Sequence, residues 1–261
     1  MKAVPSDAPA AATVVSVQAS PQPMRTRLTL LGGFELAADG VPVVVPMSAQ
    51  RVIAFIALHD HPLQRAYVAG SLWLDSPEAR AHANLRSALW RLGRHGCTLV
   101  DTRDQQLRID AGVAVDVRDV ETSIRGMLAG GDVALSASLL GADLLPDWYE
   151  DWVELERERF RQLRLHALEV LCERLTETGR LGEALDAGLA AVAGEPLRES
   201  AHRALVRVHL AEGNTAEALR QYRLFRRMLR AQLGLEPSAQ IEQLLRPIAR
   251  SPAGGLAEAS V

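Results

Sequence analysis

Four arginines and no acid stand between Ala79 and Gly96: Arg80, Arg86, Arg91 and Arg94, with Asn84 and Ser87 among them. A guanidinium can grip the major-groove edge of guanine with two hydrogen bonds, an asparagine can do the same for adenine, and all of these groups can hold a phosphate. Wound at 3.6 residues per turn, the segment puts Ala81, Leu85, Ala88, Leu89 and Leu92 on one apolar stripe. Arg80, Asn84, Ser87, Arg91 and Arg94 fall opposite, with Arg86 and Trp90 on the flank. A merely solvated helix face mixes charges of both signs, and this one does not. The chemistry on offer is the binding of a polyanion. Residues near the helix start are aimed at bases, and later arginines, Arg94 and Arg86, at phosphates. The competing reading is an ordinary amphipathic helix in an arginine-rich protein: Lys2 is the only lysine among 29 basic residues, so arginine usage also reflects coding bias. Trp90 reads as core or packing edge, with a base or sugar contact as the lesser alternative.

Other chemistry is scarce. No glycine loop of phosphate-binding type and no zinc-type spacing of cysteine and histidine occurs in the sequence. His59 and His61 flank Pro62 without a third ligand nearby, and His166, His202 and His209 are spread through helical pattern as interface or core histidines. Cys97 and Cys172 are far apart and read as structural thiols of a reducing compartment. No nucleophile and base can be paired, so no catalytic, cofactor or metal residue is assigned and an enzyme is not expected. The net charge of −3 excludes a generally basic, sticky chain but not a local anion-binding face. Arg223, Arg226, Arg227 and Arg230 form a second basic cluster that reads as a solvated face, and Glu154–Arg164 reads as a salt-bridged exposed helix.

The elements that must position the arginine-rich helix follow from periodicity and breakers. Leu28–Leu31 and Phe34–Leu36 alternate as strand around Gly32-Gly33, Asp39-Gly40 marks a hairpin, and Val41–Val45 is the return strand. Ser48 is the expected cap of a helix over Ala49–His59, and a short helix follows at about Arg65–Leu74. Ser76 as cap and Pro77 in the first position open the long helix, Pro77–His95, about 28 Å in length, and Gly96 stops it. Thr98–Val100 and Leu107–Ile109 are strands around the polar loop Asp101–Gln106, and Val113–Val117 is one more. Three helices followed by a two-stranded hairpin, with a small sheet in front, make a winged helix. Arg103, at the tip of that hairpin, is either a minor-groove or phosphate contact or an exposed turn arginine beside Asp101 and Asp104. From Val120 onward the pattern is helical. Gly179, Ala184 and Leu185 recur 34 residues later as Gly213, Ala218 and Leu219, the tetratricopeptide period. A divergent further repeat is expected at Gly130-Gly131-Asp132. The fold expected is an α+β winged helix-turn-helix region followed by an all-α tetratricopeptide-like region. The limits are a disordered tail over 1–26 (with Met24 as an alternative start), winged helix over 27–118, helical region over 119–249, and a disordered tail over 250–261.

In this order the sequence resembles the Streptomyces antibiotic regulatory protein (SARP) family, which joins an OmpR-type winged helix to a bacterial transcriptional activator domain. The resemblance rests on Leu30-Leu31-Gly32-Gly33-Phe34-Glu35-Leu36, Leu72-Trp73 and Asn84–Leu92 in the first region. In the second it rests on Asp143-Leu144-Leu145-Pro146, Trp152-Val153, Glu156-Arg157, Glu195–Glu199 and Gln232–Ser238. It implies a cytoplasmic, nucleoid-associated activator without a membrane partner. Such a protein binds direct repeats in double-stranded DNA as a pair of copies, and recruits RNA polymerase through its sigma factor to a biosynthetic gene cluster. It further implies a short member of the family, with neither an ATPase module nor a receiver domain. The turn Leu74-Asp75-Ser76 becomes a candidate polymerase-facing element. A repressor, or a helical docking platform that senses an effector, remains the alternative reading. The first region is nearly neutral for a DNA-binding unit, with 11 arginines against 10 acids over residues 24–120.

Overall fold

The computed structural model describes residues 26–94, 98–131, 136–138 and 140–249. The expected tails, save Thr26, and the expected roles of Gly96 and Cys97 lie outside these residues.

Strands β1 (Thr26–Thr29), β2 (Glu35–Ala38), β3 (Val41–Pro42) and β7 (Val113–Val115) form one sheet in the order β3-β2-β1-β7, with β7 parallel to β1. Asp39 and Gly40 both lie in the left-handed region, φ 49° and 79°, so the expected hairpin turn is present. The return strand ends at Pro42, short of Val45, with one further bond from Val43 N–H to Leu36 O at 2.7 Å. Helix α1 (Met47–Ala57) begins with Pro46, not Ser48, in the cap position. Helix α2 (Arg65–Leu72) ends two residues early, where Trp73 leaves helical geometry. Helix α3 (Glu78–Gly93) likewise has Pro77 rather than Ser76 as cap, without a side-chain cap bond.

The wing is wider and tighter than expected. β4 (Leu63–Gln64), which sequence reading missed, joins β5 (Val100–Arg103) and β6 (Gln106–Ile109) in the order β4-β6-β5. Pairing of Arg103 with Gln106 leaves a loop of Asp104 and Gln105 alone, with φ 46° and 64°. Both residues sit where glycine is usually found, a mild backbone cost accepted at the wing tip.

Every regular element described after β7 is a helix: α4 (Asp116–Leu128), α5 (Asp151–Glu177), α6 (Leu181–Gly194), α7 (Glu199–Ala211), α8 (Thr215–Leu233) and α9 (Ala239–Ala249). Gly179 and Gly213, φ 75° and 76°, make the turns of the hairpins α5–α6 and α7–α8, so the 34-residue period is a structural repeat. The expected divergent repeat falls partly outside the described residues. Gly130 closes α4, Asp132 lies outside the described residues, and no helix occurs among those described between 136 and 150. A Cβ on Gly188 would stand 2.6 Å from Leu205 and 3.3 Å from the Cys172 sulfur, so α6 approaches its neighbours through a residue without a side chain. Burial pushes the Cys172 thiol up to about 12, which leaves it an inert packing group.

The two halves share a core. One apolar cluster runs from Leu28 through α1–α3 and on to Leu144, Leu145, Trp148, Val153 and Phe160. The expected limit between 118 and 119 falls inside α4, whose Val117 joins this cluster while its Ile124 and Met127 join that of the helical region. Phe34 stacks on Trp148 at 6.0 Å, Trp148 meets Trp152 edge-on at 6.1 Å, and Trp152 meets Phe55 at 5.2 Å, a chain of rings across the junction.

Backbone bonds fix the same junction. The amides of Leu30 and Leu31 donate to the buried Asp116 carboxylate at 2.9 and 3.0 Å, and Val117 N–H donates at 2.7 Å. Burial pushes the Asp116 carboxyl up, and these three N–H groups pull it back. On the other side Leu145 N–H donates to Leu30 O at 2.9 Å, and Gly32 N–H to Asp143 O at 2.8 Å. Leu145 has φ 42°, uncommon for a branched residue, and Arg157 holds the loop by donating to the carbonyls of Leu144, Leu145 and Trp148. Arg164 is buried against Asp143 and Ala142. The expected exposed, salt-bridged helix over Glu154–Arg164 is therefore exposed on one side only. Asp116→Ala strands the amides of Leu30 and Leu31 without an acceptor. It is expected to cost about 2–3 kcal/mol and lower Tm by roughly 5–10 °C, read by thermal denaturation.

Candidate nucleic-acid interface

The arginine-rich helix stands where the sequence places it. Ala81, Leu85, Ala88 and Leu92 are buried against the shared core, which leaves the rest of α3 facing outward. At about 100° per residue the outward arc has a centre and two flanks. Trp90 and Arg94 lie near the centre with Ala83. Arg80, Asn84, Ser87 and Arg91 run along one flank, and His82 and Arg86 along the other. Arg80, Arg86, Ser87, Arg91 and Arg94 are exposed, and Asn84 is half-buried. Trp90 corrects the sequence reading: it is 63% exposed, neither core nor packing edge, and Arg94 stacks on its ring at 4.8 Å.

Neighbouring elements bound the two flanks. On the first, Arg91 Nη1 donates to Ser48 Oγ of α1 at 3.0 Å, so Ser48 steadies the helix instead of capping its own. On the second, α3 faces the wing across a cavity of about 330 Å³ lined by Arg65, His82, Arg86, Thr102 and Gln105. Sequence reading named only Arg86 of this set, because Arg65 and Gln105 reach the cavity through turns that no periodicity encodes. Arg103 is exposed on the wing, but its Nε is 3.1 Å from Asp101, which also pairs with Arg108. That arginine is partly neutralised in place.

Pairing separates α3 from the helical region. In α5–α8, Arg159, Arg161, Arg180, Arg198, Arg207 and Arg220 each meet a glutamate. Arg226 and Arg230 share Glu236, which removes half of the second basic cluster and leaves Arg223 and Arg227 as its exposed remainder. Among the described residues Arg65, Arg80, Arg86, Arg91 and Arg94 form no ion pair. Like charges gathered without acids repel one another, and an arriving polyanion removes that cost.

The turn between α2 and α3 is also fixed from both halves. Arg51 of α1 donates to Leu72 O at 2.6 Å, lies 5.7 Å from the Trp73 ring, and pairs with Glu150 at 2.8 Å. Trp152 Nε1 donates to the same glutamate at 2.6 Å. Leu74 at the turn is 76% exposed. The remaining candidates hold no ligand geometry. His166 is exposed rather than in the core, and His202 is buried. Its Nε2 lies 2.9 Å from Pro196 O and its ring stacks on Phe225; burial lowers its pKa and keeps it neutral. No group of three metal-ligating side chains occurs among the described residues, and no described helix is long and apolar enough to cross a membrane.

Residues 132–249 match the family described as bacterial transcriptional activator domain. Two curated proteins, each called regulatory protein AfsR, are similar along most of this chain. That of Streptomyces coelicolor is 24% identical over 233 residues, 84% of this chain and 24% of its own length. That of Streptomyces griseus is 26% identical over 250 residues, 86% of this chain and 24% of its own. The chain thus spans about a quarter of the length of these relatives. The structure of Mycobacterium tuberculosis EmbR, in complex with a low affinity phosphopeptide, superposes with a TM-score of 0.69 at 20% identity, over 87% of this chain and 65% of that one. That likeness shows the fold: a mixed α/β region with small sheets, then packed helix pairs. Residues 132–249, behind the mixed α/β region, are thus similar to a bacterial transcriptional activator domain, and most of the chain is distantly similar to the AfsR regulatory proteins.

Proposed function

We propose that this regulator is a sequence-specific DNA-binding activator. It binds direct repeats near a promoter as a pair of copies in the cytoplasm, and recruits RNA polymerase to a biosynthetic gene cluster. Residues 27–118 serve as the DNA-binding part and 119–249 as the part that meets partners. The observation that carries the reading is the set of arginines on and beside α3 that lack an acid, on a helix presented outward next to a wing. α3 lies in the major groove, with Arg80, Asn84, Ser87 and Arg91 toward base edges and Arg86 and Arg94 toward phosphates. Arg103 is a weaker phosphate contact because Asp101 already holds it. Trp90, at the centre of the arc, packs on a sugar or a base edge. The turn at Leu74-Asp75-Ser76, held by Arg51 and Glu150, faces the polymerase holoenzyme and its sigma factor.

Selection from random duplex DNA at two salt concentrations tests this reading. Wild type is expected to enrich spaced direct repeats, and Arg91→Ala to blur the preference at one base position per repeat at a cost of about 1–3 kcal/mol. Equal preference with a shallower salt dependence would make Arg91 a phosphate contact, and no enrichment at any salt would remove DNA reading altogether. Trp90→Ala is expected to weaken DNA binding about tenfold, as loss of a stacking contact does, while Tm stays within about 1 °C because the side chain is exposed. A falling Tm with unchanged affinity would return Trp90 to a packing role.

A further inference from the structure

The cavity between α3 and the wing has a lining of one chemical kind. Arg65 enters it from the start of α2, Arg86 and His82 from α3, and Thr102 and Gln105 from the wing. No carboxylate lines it. Neither Arg65 nor Arg86 forms an ion pair with a described residue, although the helical region pairs most of its arginines. His82 is within 3.8 Å of Glu78, beyond hydrogen-bond length, and that glutamate is exposed. Two guanidinium groups, an imidazole, an amide and a hydroxyl thus belong to the residues that line one cavity without a carboxylate.

The cavity is also built. Arg65 N–H donates to Gln105 O at 2.9 Å, so the wing tip is tied by backbone to the start of α2. Leu63 pairs with Leu107 and Gln64 with Gln106 directly before it. Gln105 itself takes φ 64°, a left-handed conformation that brings the loop over the cavity. These bonds hold the start of α2 and the wing tip at a set separation before any ligand arrives.

We propose that this cavity seats one backbone phosphate of bound duplex DNA, gripped between Arg65 and Arg86, with Gln105 and Thr102 as further donors. The proposal rests on the DNA-binding reading and adds a clamp to it. Guanidinium pairs match the geometry of a phosphate's oxygens, and a phosphate held between α3 and the wing sets the depth and register of α3 in the groove. Arg65 is then a positioning residue that touches DNA but reads no base.

The experiment uses the full chain and the duplex recovered by selection, synthesised with a single neutral methylphosphonate at each position in turn. One position is expected to weaken wild type by about tenfold, the worth of a lost charge-assisted bond. Arg65→Ala and Arg86→Ala are each expected to bind the unmodified duplex about tenfold more weakly, with the same base preference. At that one position the neutral linkage then costs each variant clearly less than it costs wild type. Arg80→Ala, from the other flank, keeps full sensitivity there. Thermal denaturation confirms that the variants fold, and Arg65→Lys, which keeps the charge, recovers part of the affinity. If both alanine variants keep wild-type affinity, or keep the wild-type methylphosphonate profile, the clamp is overturned. A thermal shift by inorganic phosphate that is lost in Arg65→Ala, with no duplex position coupled to it, would overturn the duplex assignment in favour of a free anion. A wild-type protein that binds no duplex overturns the proposed function instead.

Discussion

Where β1 ends, its backbone is bonded on both sides at once. Leu30 and Leu31 give their amides to Asp116, at the start of α4, while Leu30 O and Gly32 N–H pair with Leu145 and Asp143. A buried peptide group must find a partner or cost free energy, so these bonds decide where the chain can go. Asp116 fixes the exit of the winged helix. The loop carrying Asp143 and Leu145 brings Trp148 and Trp152 against Phe34 and Phe55, and Arg157 locks it by gripping three carbonyls. The helical region therefore completes the core beneath α1, and α1 supports α3. A junction of this kind transmits position. The outward arc of α3 and the turn before it are both referenced to the helical region, the latter through Arg51, Glu150 and Trp152.

Charge is distributed to the same end. The chain is nearly neutral overall and nearly neutral within its first region, so nothing in its net charge marks a DNA-binding protein. What differs is pairing. Glutamates accompany most arginines of α5–α8, whereas the arginines of α3 and the one at the start of α2 form no ion pair among the described residues. Near-neutrality with local surplus suits a protein that must bind at chosen sites and release elsewhere, because bulk attraction to nucleic acid supplies affinity without choice. The wing illustrates the balance: Asp101 holds Arg103 and Arg108, while Arg65 and Arg86 across the cavity are left free of ion pairs among the described residues.

Legibility followed the range of the interactions concerned. Periodicity of 3.6 located α1, α3 and the hairpins around Gly179 and Gly213, since each is set by neighbours in sequence. Caps were misread at Ser48 and Ser76, because proline in the position before a helix ends the extended backbone without a side-chain bond. β4 was missed because two residues carry no alternation, and its pairing partner β6 lies more than forty residues away. Trp90 was misread because apolar character alone suggests burial, whereas its place on the arc sets it outward. The arginine face of α3 was legible by composition. The cavity was not, for it needs Arg65, Arg86 and Gln105 brought together by the fold. The junction at Asp116 and Leu145 left no local signal at all.

The central claim, that α3 and the wing are the surface that holds duplex DNA, is tested most directly by amide hydrogen exchange on the full chain, with and without the selected duplex. The account requires new protection concentrated in Glu78–Gly93 and in Val100–Ile109, with α7–α9 unchanged. Protection confined to the helical region, or spread evenly at a duplex concentration that saturates binding, would contradict it.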